Sequence, residues 1–112
     1  MLAKKGRINK HLLREILKRG TKIETRFILL KTLKINNQKS PKFAFIIPQR
    51  TAKKSTARNK IKRRARHITK KISHLFNSNS ASVFLLKKGI DKLKFKELED
   101  VFLEILQRAK TI

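Results

Sequence analysis

Apolar residues occur along the chain in short runs whose spacing switches between the period of a helix and that of a strand. Leu12, Leu13, Ile16 and Leu17 share one helical stripe, with Asn9 ahead of them as an N-cap and Gly20 placed to end the helix. Residues 23–35 alternate at first and then turn apolar, as a strand partly buried on both faces would. Residues 36–41, Asn-Asn-Gln-Lys-Ser-Pro, read as a turn. Residues 43–47, bounded by Pro41 and Pro48, read as a second strand, expected to pair antiparallel with the first through that turn.

After a polar, basic stretch at residues 51–54, Ser55 or Thr56 offers an N-cap for a long helix reaching Leu75 or Phe76. Within it Ala57, Ile61, Ala65, Ile68, Ile72 and Leu75 recur at steps of three and four and form one narrow apolar stripe. Residues 82–86 have the length and composition of a third strand, broken by the Lys-Lys-Gly that follows. Leu98, Val101, Phe102, Ile105 and Ala109 then predict a closing helix. The predicted order is αββαβα without internal repeats, and its natural architecture is a two-layer α+β sandwich in one domain, residues 1–112.

Charge changes the picture. The chain carries 31 Lys and Arg against 7 Asp and Glu, a formal charge of +24, which calls for a polyanionic partner, nucleic acid first of all. Residues 1–90 hold 26 basic and 2 acidic side chains, whereas residues 91–112 hold five of each. Cysteine is absent, which excludes a disulfide framework and a thiolate metal site. The basic start lacks the apolar core of a secretion signal and no apolar run approaches bilayer length, so a cytoplasmic protein is expected.

Half a turn of the helical wheel away from the apolar stripe of the long helix, Asn59, Arg63, Arg66 and Lys70 form a row flanked by Lys60 and Lys62. Residues 50–71 contain eleven basic side chains and no acid. Like charges at i,i+4 destabilise a helix by a few tenths of a kcal/mol per pair, so an external polyanion must offset them. A merely solvated face would intersperse both signs. Arg grips two phosphate oxygens and stacks on bases, Asn59 can donate and accept, and RNA offers both kinds of partner.

Protein phosphodiesterases usually gather Asp, Glu or His around two Mg²⁺ ions about 3.5 to 4 Å apart. Here five of the seven acids lie between Asp91 and Glu104, and Glu15 and Glu24 stand alone. His11, His67 and His74 read as solvated histidines rather than ligands or bases.

The segment Arg58-Asn59-Lys60-Ile61-Lys62-Arg63-Arg64-Ala65-Arg66 resembles the signature helix of the bacterial ribonuclease P protein family, Arg-Asn-x-x-Lys-Arg-x-x-Arg after a strand and a basic loop. Every fixed position is present. Residues 43–49 look like the family's strand before that loop, and Gly20-Thr21-Lys22 with Arg26-Phe27 look like its first helix end and first strand. Lys87-Lys88-Gly89 and Phe95-Lys96-Glu97-Leu98-Glu99 look like its last strand end and last helix. Arg50-Thr51-Ala52-Lys53 departs from the usual Lys-Lys-x-Gly, His67 replaces a common acid, and Leu13 and Leu17 stand where phenylalanines are frequent.

The resemblance implies a four-stranded sheet whose extra strand is short, with a left-handed βαβ crossover through the signature helix, as in the second domain of ribosomal protein S5. It implies that a catalytic RNA hydrolyses the phosphodiester, that the protein itself holds no cofactor, and that Mg²⁺ acts in the RNA–protein holoenzyme. The RNA would be bound by Arg50, Lys53, Lys54, Arg58, Asn59, Lys60, Lys62, Arg63, Arg66 and Lys70. The 5′ leader of precursor tRNA would lie in a cleft formed by Leu13, Leu17 and one sheet face. Phe27, Phe43, Phe45 and Phe84 are either all core or divided between core and cleft, with Phe27 the preferred cleft residue. The expected partners are the catalytic RNA and the leader, with a monomer in the ribonucleoprotein and neither DNA nor membrane. A ribosomal or other structural RNA-binding protein is the alternative, but it gives no reason for the signature spacing.

Overall fold

The computed structural model describes residues 8–35, 41–76 and 79–110. Helix α1 (Lys10–Arg19) starts at Asn9, whose Oδ1 accepts the Leu12 amide at 2.8 Å. At its other end the Gly20 amide donates to Ile16 O at 2.8 Å, and a Cβ on Gly20 would lie only 2.5 Å from that oxygen. Glycine there lets strand β1 (Thr21–Glu24) leave the helix at once.

The stretch expected as one strand is a hairpin of β1 and β2 (Ile28–Lys34), paired antiparallel from Thr21↔Thr32 to Glu24↔Leu29. Its turn contains none of the usual glycine, asparagine or proline. Instead the Thr25 amide donates to Ile28 O at 2.8 Å, and the Thr25 hydroxyl lies 3.3 Å from the amide and carbonyl of the same residue.

Strand β3 (Lys42–Ile46) does not pair with β2; strand β4 (Ser80–Leu86) lies between them, giving the order β1-β2-β4-β3. β4 runs antiparallel to β2 and parallel to β3, with Phe45 opposite Phe84. The expected antiparallel pairing through residues 36–41 is thereby corrected. β4 is buried along most of its length and must be covered on both sides, so it takes a central position. β3, flanked by Pro41 and Pro48, takes the edge, where a missing amide donor breaks no ladder.

Helices α2 (Ser55–Lys71) and α3 (Phe95–Lys110) pack on one sheet face and complete the expected pair of layers. Ile61, Ala65, Ile68 and Ile72 meet Phe43, Phe45, Phe84 and Leu86 there, together with Leu98, Phe102 and Ile105. Phe84 is fully buried at the centre, stacked on Phe45 at 5.6 Å and tilted against Phe102 at 5.2 Å. α1 covers part of the opposite face, where Ile16 packs on Ala81 and Val83 with Leu12, Leu13, Ala44 and Ile46 around them. Among the described residues, no helix is long and apolar enough to cross a membrane.

Candidate nucleic-acid interface

The basic face is assembled from the end of β3 onward. The Pro48 carbonyl accepts the Thr51 amide at 2.9 Å, and the buried Thr51 hydroxyl donates to Leu86 O at 2.8 Å, stapling the loop to the end of β4. Arg58 reaches back from the first turns of α2 and donates through Nη1 to Ala52 O at 3.0 Å and Lys53 O at 2.8 Å. Arg58 thus holds the loop in addition to carrying charge. The helix begins after Lys54, which makes no side-chain cap, rather than after Ser55 or Thr56. Thr51 and Arg58 fix the chain ahead of the helix, so the cap hydroxyl expected there is not used.

Helix α2 ends at Lys71 rather than at Leu75 or Phe76, and a 3-10 turn (Ser73–Leu75) continues the apolar stripe, which points inward: Ile61, Ala65, Ile68 and Ile72 are buried, with Ala57 and Leu75 partly so. Thr69 is buried as well and donates to Ala65 O at 3.0 Å within the helix. The opposite side carries Asn59, Lys60, Arg63 and Lys70 exposed, with Lys62 and Arg66 half-buried along their stems. Arg50, Lys53 and Lys54 extend the exposed cationic surface into the loop.

Among the described residues, no carboxylate pairs with the outer row of α2. Among the described residues, ion pairs join Glu15 to Arg19, Glu24 to Lys22 and Lys87, Glu99 to Lys71, and Glu104 to Arg108. Only Lys71, at the end of α2 and 3.2 Å from Glu99, is engaged. Among the described residues, none of Lys60, Lys62, Arg63, Arg66 and Lys70 forms an ion pair, and Asn59 is exposed beside them.

The three expected cleft residues separate. Leu13 packs in the α1-side cluster beside Ala44 and Ile46 of β3. Leu17 is 41% exposed near the end of α1, where its carbonyl accepts Lys31 Nζ at 2.7 Å. Phe27 packs against the core on the α2/α3 side instead, close to Gly89, whose φ of +97° no side chain adopts easily. The structure therefore does not bring Phe27 together with Leu13. Phe43, Phe45 and Phe84 belong to the same core as Phe27.

Sequence reasoning missed two long-range contacts. Glu24 is not isolated but receives Lys87 Nζ, which also donates to Thr25 O at 2.9 Å and so ties the β1–β2 turn to the end of β4. That hydrogen bond, with the Lys87 charge behind it, holds the Glu24 carboxyl below its ordinary value. The second is an edge-on contact between His67 of α2 and Phe95 of α3, ring centroids 5.6 Å apart. No local pattern announces either, because the partners lie 63 and 28 positions apart. Among the described residues, no three histidine or carboxylate groups converge in a way that could hold a metal ion.

The family model described as Ribonuclease P matches residues 2–110. The chain belongs to the ribonuclease P protein family. Its fold is similar to that of a Staphylococcus aureus RNase P protein mutant with defective mRNA degradation activity, at a TM-score of 0.86 and 18% identity over 96% of this chain and 90% of that one. It is similar also to the RNase P protein from Thermotoga maritima, at a TM-score of 0.81 and 19% identity over 91% and 96%. No curated protein sequence matches the chain significantly. Within a ribonuclease P protein the five fixed residues of the signature divide by geometry: Arg58 is bound to loop carbonyls, while Asn59, Lys62, Arg63 and Arg66 point away from the core.

Proposed function

We propose that this chain is the RNA-binding protein subunit of a ribonuclease P ribonucleoprotein and assists a catalytic RNA in removing the 5′ leader from precursor tRNA. Family membership implies tRNA processing and partnership with the ribonuclease P RNA. The observation that carries the finer reading is the row of uncompensated cations on α2, fixed in place by a buried stripe on the other side of the same helix. Phosphates of a folded RNA meet Lys60, Lys62, Arg63, Arg66 and Lys70, with Arg50, Lys53 and Lys54 beside them and Arg58 keeping the loop in register.

The leader lies along α1 and the part of the sheet face that α1 leaves uncovered, where Leu13, Ala44 and Ile46 are half-buried and Leu17 is exposed. This lining is aliphatic. Contact with unpaired bases there is apolar packing, weaker than the roughly 1 to 3 kcal/mol per base of aromatic stacking. The donor set of the described residues does not fit a two-metal phosphodiesterase centre. We assign hydrolysis and its Mg²⁺ to the RNA, as the family resemblance implies, with one copy of the protein in the particle.

Cleavage of a precursor tRNA by bacterial ribonuclease P RNA at low Mg²⁺, with and without the protein, tests the assignment. Stimulation by the protein is expected. An RNA equally slow in its presence would return the chain to a purely structural RNA-binding role.

A further inference from the structure

We propose that Phe95 is a stacking platform for an unpaired base of the RNA held by α2. This rests on the reading of α2 as the RNA-binding face. Phe95 is 40% exposed and opens α3, whereas the phenylalanines of the sheet are buried or packed against the core. Its ring meets that of His67 edge-on, at 61° between planes, which orients it while leaving much of its surface in solvent.

The placement matters more than the exposure. His67 stands four residues after Arg63 and three before Lys70, at the margin of the cationic row. The Lys71–Glu99 pair shows that this margin faces α3. Lys92, Lys94 and Lys96 flank Phe95, all three exposed and without an acidic partner among the described residues. Of the nearby acids, Glu97 is turned to its own backbone and accepts the Lys94 amide at 2.9 Å. An exposed ring between two groups of cations can stack a base while the phosphates on either side of that base are held, the arrangement by which single strands are bound. A ring present only to pack α3 on α2 would be replaceable by leucine.

The chain contains neither Trp nor Tyr, so Phe95→Trp introduces its sole indole. The probe is transcribed bacterial ribonuclease P RNA, with indole emission and filter binding followed in parallel. Saturable quenching in step with binding is expected for Phe95→Trp, at an affinity no lower than that of the parent. Phe95→Leu should lose about tenfold in affinity, within the 5- to 150-fold that one stacked base provides, with an unchanged salt slope and melting temperature. Unchanged emission at saturating RNA, or Phe95→Leu binding as the parent does, overturns the proposal. Adding Arg63→Ala/Arg66→Ala to Phe95→Trp, whose indole is the reporter, separates the two readings. If affinity and salt slope stay intact while the indole is still quenched, the α2 assignment falls and only the contact of Phe95 with RNA survives; if the double change weakens binding while the indole of Phe95→Trp stays silent, the platform falls and the α2 assignment stands. If the parent does not bind this RNA at all, both fall.

Discussion

Helices α2 and α3 bury comparable apolar stripes against the same sheet face, yet their outer surfaces are built on opposite plans. α2 carries eight Lys and Arg and no acid; α3 carries three basic and four acidic side chains, with Glu104 and Arg108 paired at i,i+4. The inner stripes determine where each helix sits. The outer faces determine what each can meet, and α2 folds in spite of its charge because packing on Phe43, Phe84 and their neighbours outweighs a repulsion of a few tenths of a kcal/mol per pair.

The likeness of the inner faces is tested by Ile68→Ala and Ile105→Ala. Both side chains are fully buried, and each truncation should cost about 2 to 5 kcal/mol in denaturant unfolding. A loss confined to one of them would show that the two helices are not equal partners in the core. The difference of the outer faces is tested by Arg63→Ala/Arg66→Ala, which should lower affinity for ribonuclease P RNA by roughly tenfold per residue, as charge-assisted contacts of about 1.5 kcal/mol do. The slope of log affinity against log salt should become shallower by roughly one per lost phosphate contact. Glu104→Gln on α3 should change neither quantity, and helix content should be the same in all three proteins.

Much of this was legible because periodicity is local. Asn9 and Gly20 bound α1, the stripe from Ala57 to Ile68 marks the inner face of α2, and the five fixed signature positions point to the family. What was hidden depends on residues far apart or on turn chemistry without a common marker. The β1–β2 turn is closed by a threonine, so thirteen residues read as one strand. The insertion of β4 between β2 and β3 reflects which strand needs cover on both sides, a property of the whole sheet. Alternation along a strand cannot choose a face, which is why Phe27 could be expected in the cleft and yet packs in the core beside α3. Arg58 reads as an RNA ligand from its place in the signature, and its additional hold on the carbonyls of Ala52 and Lys53 has no local sequence marker.

A smaller effect comes from anions without sequence. If the outer face of α2 is uncompensated in the free protein, sulfate should bind there and raise the melting temperature, contributing about 1.4 kcal/mol at ten times its Kd. The gain should shrink in Arg63→Ala/Arg66→Ala and persist in Glu104→Gln. Equal gains in all of them would mean that sulfate acts on the chain's overall charge and not on this face.

The smallest effect lies where a cation does have a partner. Glu24 receives Lys87 across the end of the sheet, and its carboxyl is held below the ordinary value first by that hydrogen bond and then by the Lys87 charge. A carboxyl with a depressed folded value binds its proton less readily folded than unfolded, so its contribution is complete above the unfolded pKa and is lost as pH falls through the folded one. Wild type should therefore exceed Glu24→Gln in denaturant midpoint near neutrality, and the gap should close below the ordinary carboxylate range. Because Glu24 is half-exposed, the gap should also narrow in high salt. A midpoint difference that survived both acid and salt would assign Glu24 a packing role instead. The paired cation at the sheet end would then resemble the buried stripes more than it resembles the free row on α2.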